Sequence, residues 1–451
     1  MPALKPLWSS MLLALVCSQT QAMTLAEAVQ STIDTHPELQ ASINDRRSTL
    51  EKVKVAKGGY LPVVDLIGGY GREETDSPTT RGLTGHNKER LTYGTSELRL
   101  RQMIFDGFNT PNEVARTEAV VDSRSYYIQG TGEDLALRTV EVYLEVLKRR
   151  EMVALAKNNL QAHQRMGDQI GLRSERGVGS AADTDQSAAR LALAANNLYT
   201  EEVNLADAEA NFFSAVGRMP DELETPASIK GQVPEDLPSA RQQVMENNPL
   251  LKSAQADVNA AEKQYEVAKS PFYPRLDAEL ATNANNNTGG DEGHDNSWRA
   301  GVVVTYNLYN GGRDKANLQS TAYQINQAMD IRNNALRVIN ENISLAWNAL
   351  QNARLQTPKA RDYADYTKRV RMAYQDQFGL GQRTLLDLLD SENELFTANR
   401  RYVEVRYTEE YSMYRLQAAM GELLKRQGTV LPVEATALND VKSTAQLPSM
   451  K

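Results

Sequence analysis

The run WRAGVVVTYNLY (298–309) decides the fold. In it Trp298, Ala300, Val302, Val304, Tyr306 and Leu308 alternate with Arg299, Gly301, Val303, Thr305, Asn307 and Tyr309. A period of two marks a strand with two unlike faces. The alternation recurs in 275–281, where Arg275, Asp277 and Glu279 interleave with Leu276, Ala278 and Leu280. It recurs again in 96–104, where Glu97, Arg99 and Arg101 interleave with Leu98, Leu100 and Ile104. A weaker run at 60–70 holds Tyr60, Val64, Leu66 and Tyr70 in one phase. Charge on one face suits a transmembrane barrel strand of ~9–11 residues. It also suits a half-buried soluble sheet, but tyrosines and Trp298 near the strand ends favour membrane interfaces. Membrane barrels need about 8 strands or more, and an open edge in lipid is forbidden. Four strands therefore imply an oligomer that shares one barrel among identical chains.

Working outward, the chain repeats itself. Residues 36–65 (HPELQA to AKGGYLPVVD) match 248–277 (NPLLKS to AKSPFYPRLD) at an offset of 212. IFDGF (104–108) matches LYNGG (308–312) at 204, and GVGSAADTD (177–185) is set against GLGQRTLLD (379–387) at 202. Each copy places a helical stretch (24–57; 239–269) before two strands, a very long helix (109–176; 313–378) and a further helix (183–217; 384–425). Residues 1–22 read as a signal peptide, 23–217 as the first repeat, 218–238 as a proline-bearing linker and 239–425 as the second repeat. The small-residue and proline-rich tail at 426–451 reads as disordered.

The long helix at 109–176 would extend on the order of 100 Å at 1.5 Å per residue. Its companion near the C-terminus spaces Leu388, Leu395 and Tyr402 seven apart, and likewise Leu389, Phe396 and Val403. Two adjacent heptad phases make a stripe broad enough for two neighbouring helices, as in a cylinder of helices.

The 451 residues carry a net charge of −8, which argues against nucleic acid as a partner. Lys5 before the apolar run Leu7–Cys17, then Thr20-Gln21-Ala22, forms a secretory leader with cleavage before Met23. The one cysteine, Cys17, falls inside that leader, so disulfides and cysteine metal sites are excluded from the mature chain. Ala14-Leu15-Val16 lacks the small residue that lipidation of Cys17 expects. His36, His86, His163 and His294 are scattered, and no nucleophile, metal-ligand spacing or phosphate-binding loop appears, so neither an enzyme nor a cofactor is expected. The loops TDSPTTRGLTGHNKER (75–90) and NANNNTGGDEGHDN (283–296) suit the extracellular side; cation binding by the second is a lesser alternative to simple solvation.

The duplicated helix–strand–strand–helix plan, the LYNGG turn (308–312), FGLGQRTLLDLLD (378–390) and LQAAMG (416–421) together resemble the TolC family of outer-membrane channel-tunnels. The likeness spans roughly residues 24–425 and leans to the type I secretion branch, including LapE-like exporters of large adhesins. It implies a homotrimer of mixed α and β structure: a 12-stranded transmembrane β-barrel, four strands per chain, on a long periplasmic α-helical barrel. It implies lipid around the barrel, an inner-membrane ABC transporter and a periplasmic adaptor (a membrane fusion protein) as partners, and an exported protein as cargo. The alternatives are a multidrug efflux outlet and a soluble periplasmic coiled-coil adaptor.

The resemblance also assigns residues. Asp387 and Asp390 fall where the family lines its periplasmic aperture; Arg383, Asp185 and Phe378 fall at its tip latch, with Phe378 replacing a tyrosine found in some members. Gly107, Gly311 and Gly312 mark the strand-to-helix turns. By its own pattern, Thr384-Leu385-Leu386-Asp387 is equally a helix-capping box. A cap and a pore lining can coexist in one acid.

Overall fold

The computed structural model of the chain describes residues 22–83, 88–177 and 180–445, so the expected leader, all but its last residue, lies outside the described residues. The four alternating runs form one antiparallel sheet in sequence order: β1 (Val63–Thr75), β2 (Glu89–Phe105), β3 (Arg275–Asn286) and β4 (His294–Thr305). The register sorts the side chains. Leu66, Leu98, Thr282 and Trp298 lie side by side across the strands, as do Val64, Leu100, Leu280 and Ala300. Next to these rows, on the opposite face, run Asp65, Arg99, Ala281 and Arg299. On that charged face Glu97 pairs with Arg99 at 2.8 Å and Arg299 at 3.6 Å, and Arg275 with Asp277 at 2.7 Å. The apolar face is left bare, with Leu66 78% and Trp298 76% exposed. In water such a face would be costly; in lipid it is the required one.

The helices are α1 (Leu25–Thr35), α2 (Pro37–Lys57), α3 (Pro78–Leu83), α4 (Asn109–Glu175), α5 (Ala181–Val216), α6 (Leu237–Asn247), α7 (Pro249–Ala268), α8 (Arg313–Gly379), α9 (Leu385–Met420) and α10 (Leu423–Arg426). The helical stretches 24–57 and 239–269 are each divided into two helices. Pro37 and Pro249 open new helices at their first positions, capped by His36 and Asn248. Proline pushes the preceding residue out of the helical region, so each break is local chemistry.

The repeat is sharper in three dimensions than in letters. The starts of α4 and α8, the starts of α5 and α9, and the ends of α5 and α9 are each 204 residues apart (109 to 313, 181 to 385, 216 to 420). Gly177 and Gly381, also 204 apart, both adopt a left-handed φ, +75° and +76°. The offset of 202 between GVGSAADTD and GLGQRTLLD is therefore corrected to 204: letter similarity had slid the two turns by two residues. Asp183, not Asp185, is the counterpart of Asp387.

The chain divides into two compact units. One comprises Met1–Thr32, Arg138–Gly231 and Leu355–Tyr411. Its core includes Tyr143 against Phe212, whose ring centroids are 6.3 Å apart. The Tyr143 hydroxyl lies 2.7 Å from the Met23 carbonyl and 2.6 Å from that of Glu224. Of the two heptad phases, Leu389, Phe396 and Val403 are buried, while Leu395 and Tyr402 are half-buried.

The other unit comprises Ile33–Leu137, Gln232–Arg354 and Ser412–Lys451, and contains the sheet. The tail expected to be disordered is instead pinned down as far as residue 445. Asp122 on α4 accepts from the backbone N–H groups of Leu438 and Asn439 at 2.6 and 3.1 Å. Tyr126 accepts from the Val441 N–H, and Gln129 donates to the Ala435 carbonyl. Ala435 and Val441 are buried. Composition misled here because the segment has no core of its own; its backbone groups are satisfied by side chains of a distant helix. Residues 446–451 lie outside the described residues.

Candidate functional site

The α8–α9 turn is built by two adjoining devices. Gly381 ends α8 with a left-handed φ, and Thr384 starts α9. The Asp387 N–H donates to Thr384 Oγ1 at 3.2 Å, and the Thr384 N–H donates back to Asp387 Oδ2 at 3.2 Å. This reciprocal box satisfies two N–H groups that the helix start leaves open. The Thr384 hydroxyl also donates to Asp387 at 2.7 Å, and with the Thr384 N–H it holds this exposed carboxyl below the usual range. The α4–α5 turn repeats the box with Ser180 and Asp183.

Behind the turn the leucines pack. Leu385, Leu388 and Leu389 form one buried cluster with Phe378 of α8 and Ala162, Met166 and Ile170 of α4. The guanidinium of Arg173 lies 4.5 Å over the Phe378 ring. Phe378 thus serves as core and as a cation–π platform. Leu386 points outward and is exposed.

The ion pairs differ from the expected ones. Arg383 is engaged next to its own turn: Nε donates to Gln377 at 2.9 Å, the guanidinium covers Tyr374 at 4.2 Å, and Asp387 stands 3.9 Å away. Asp185 is exposed and is not among the partners of Arg383. Near the turn, α5 and α9 are linked by Arg190, whose Nη2 donates to Asp390 at 2.8 Å, and farther along by Arg400, 3.0 Å from the buried Glu201. Sequence reasoning missed Arg190 because the partners are 200 residues apart and no spacing rule connects them. A second pair, Arg371–Glu392 at 2.7 Å, ties α8 to α9, with the Glu392 side chain only 9% exposed. His163 on α4 is buried beside these charges, and burial holds its imidazole below the ordinary range.

The strand-to-helix turns show why glycine stands there. Gly107, Gly311 and Gly312 all have positive φ, at +68°, +59° and +77°. Gly107 has a second constraint: a Cβ would lie 2.5 Å from the Ser270 carbonyl oxygen. Beside it, Asp106 accepts from the Thr110 N–H at 2.8 Å and so caps α4. The rings of Phe105, Phe108 and Tyr273 meet edge to face at the same junction.

A sheet with one lipid-compatible face and one charged face, feeding through glycine turns into paired long helices, defines a subunit of a trimeric TolC-type channel-tunnel of the outer membrane. The family model described as outer membrane efflux protein matches residues 28–218 and 240–422, and the chain belongs to that family. Its members are ducts and not enzymes. The Brucella suis outer membrane efflux protein BepC is 27% identical over 408 residues, 90% of this chain and 86% of that one. The Pseudomonas aeruginosa alkaline protease secretion protein AprF is 22% identical over 420 residues, 89% of this chain and 85% of that one. The crystal structure of the Campylobacter jejuni CmeC outer membrane channel superposes with a TM-score of 0.78 at 15% identity, over 91% of this chain and 90% of that one.

Proposed function

We propose that three copies of this chain form the outer-membrane exit duct of a type I secretion system. Protein, with a large adhesin as the expected cargo, would pass in one step from an inner-membrane ABC transporter and a periplasmic adaptor. The observation that supports a duct is the two-faced sheet, whose charged side belongs in water and whose bare side belongs in lipid. Likeness to the protease secretion protein AprF supports protein as cargo. A second reading, drug efflux, is favoured by the likeness to the efflux protein BepC. Deleting the gene and comparing secreted and surface proteins with drug sensitivity separates them. Loss of a large surface protein supports secretion; drug hypersensitivity alone supports efflux and overturns the proposal.

The site residues enter this reading as a gate. Asp387 and Asp390 line the aperture, so trimerisation gathers two carboxylates from each chain around one axis. Like charges at close range disfavour joint ionisation and attract cations. Phe378 anchors the turn, and Arg190 with Asp390 fastens α5 to α9 within each chain. In planar bilayers, a multivalent cation added on the tip side is expected to block the native channel. Joint Asp387→Asn and Asp390→Asn replacement should weaken that block by about ten-fold or more. An unchanged block would remove the carboxylates from the aperture.

A further inference from the structure

The outer end of the sheet holds contacts that a simple open duct does not need. On β1, every residue from Val63 to Tyr70 is exposed, but beyond it Gly71, Glu73 and Thr75 are half-covered while Arg72 and Glu74 remain exposed. The covered positions share the face of Asp65, which is the charged face of the sheet. The Tyr93 ring of β2 lies against Gly71, and two loops reach Glu73 and Thr75. Residues 76–83 fold back as a short turn and α3, where the Ser77 N–H donates to Thr80 Oγ1 at 3.0 Å and the Thr80 N–H donates to Ser77 Oγ at 3.2 Å. Thr80 is thereby left 1% exposed.

The β3–β4 connection reaches across from the other side. Its Asn287 Nδ2 donates to the Thr92 carbonyl on β2 at 3.3 Å, and its Gly290 N–H donates to Glu73 Oε1 on β1 at 3.1 Å. The connection is closed on itself by the Gly293 N–H, which donates to Asn287 Oδ1 at 2.9 Å. Gly290 is buried with φ +86°, and a Cβ there would lie 2.5 Å from Thr80 Cγ2 and 3.1 Å from Thr75 Cβ. Only a bare backbone fits between the two loops. Residues 76–83 and 287–293 therefore lie over the charged face.

We propose that the two loops form an inward-folded lid at the outer mouth, fastened by Glu73 to Gly290 and by the seating of Thr80 on Gly290, and that this lid sets the size of solute able to enter the duct from outside. The proposal rests on the reading that the charged face lines the lumen. Three copies of the lid around one mouth narrow it from three sides. A hydrogen bond from a backbone N–H to a carboxylate is firm yet reversible, so outgoing cargo can displace each lid in turn. Glu73 is then a size-selecting residue.

The test labels Ile67→Cys in outer-membrane trimers of intact cells, with the unsubstituted chain as the background control. Ile67 is half-exposed on the charged face, opposite Glu97, inward of Glu73. The probes are a small water-soluble maleimide and a maleimide bearing a long polyethylene glycol chain. The small probe should react readily and the polymer at least about ten-fold more slowly. Adding Glu73→Ala should speed the polymer several-fold without changing the small probe, and Thr80→Ala should act in the same direction. Equal rates for both probes on Ile67→Cys, or a polymer rate unmoved by both lid variants, overturns the lid. If Ile67→Cys is inert to the small probe while Leu66→Cys reacts, the lumen reading itself fails.

Discussion

Replacing Arg190 with alanine is expected to raise the open fraction of the trimer by up to about 100-fold, read as single-channel open probability in planar bilayers. The Arg190 and Asp390 side chains are 30% and 55% exposed, so their pair contributes only ~0–1 kcal/mol in one chain. A concerted opening breaks three such pairs at once, and up to ~3 kcal/mol shifts a two-state balance by roughly two decades. Asp390→Ala should match it, the double replacement should add nothing further, and Arg190→Lys should restore part of the closure. Arg383→Ala should stay close to the native chain, because the partners of Arg383 are in and beside its own turn. A leak confined to Arg383→Ala would return the latch to that residue. Arg371→Ala is a different experiment. It strands Glu392 with a side chain 9% exposed, so the expected result is a stability loss of about 3–5 kcal/mol and not a leak in an intact trimer.

Gly107→Ala is expected to cost far more than Gly311→Ala. Both residues have left-handed φ, at +68° and +59°, which an alanine tolerates at roughly 1–2 kcal/mol. Around Gly311 a Cβ meets nothing within 4 Å, whereas at Gly107 it would meet the Ser270 oxygen at 2.5 Å. The outer-membrane yield of trimer and its melting temperature in detergent measure the difference. Asparagine separates the two costs, since it adopts positive φ easily but carries the same Cβ. Gly311→Asn should behave almost as the native chain, while Gly107→Asn should be as damaged as Gly107→Ala. Rescue of Gly107 by asparagine would assign the whole cost to φ and none to the clash.

Much of the barrel was legible because a period of two is a strictly local signal. Leu66, Leu98 and Trp298 declare their face within a few residues of sequence, and the register only aligns what alternation had already sorted. The repeat was legible in outline, yet letter matching misplaced the α4–α5 turn by two residues. A backbone criterion would have found it: glycine followed three positions later by a hydroxyl cap, Gly177 and Ser180 against Gly381 and Thr384. Asp387 as a cap was readable for the same local reason. Arg190, the pinned tail and the inward loops were not readable. Each depends on partners hundreds of residues away, and in the tail the partners are backbone groups, which carry no residue identity.

The equal lengths of the paired helices, 67 residues for α4 and α8 and 36 for α5 and α9, have a consequence for how such a chain can change. One residue inserted into a helix turns everything beyond it by about 100° and lifts it by about 1.5 Å. Buried stripes would rotate into solvent, and the α8–α9 turn would be shifted in all three copies at once. A substitution at an exposed position leaves this register intact, but a change of length does not. Growth or shortening of the tunnel must therefore come as matched insertions of whole turns in both repeats, so the duct has a quantised length.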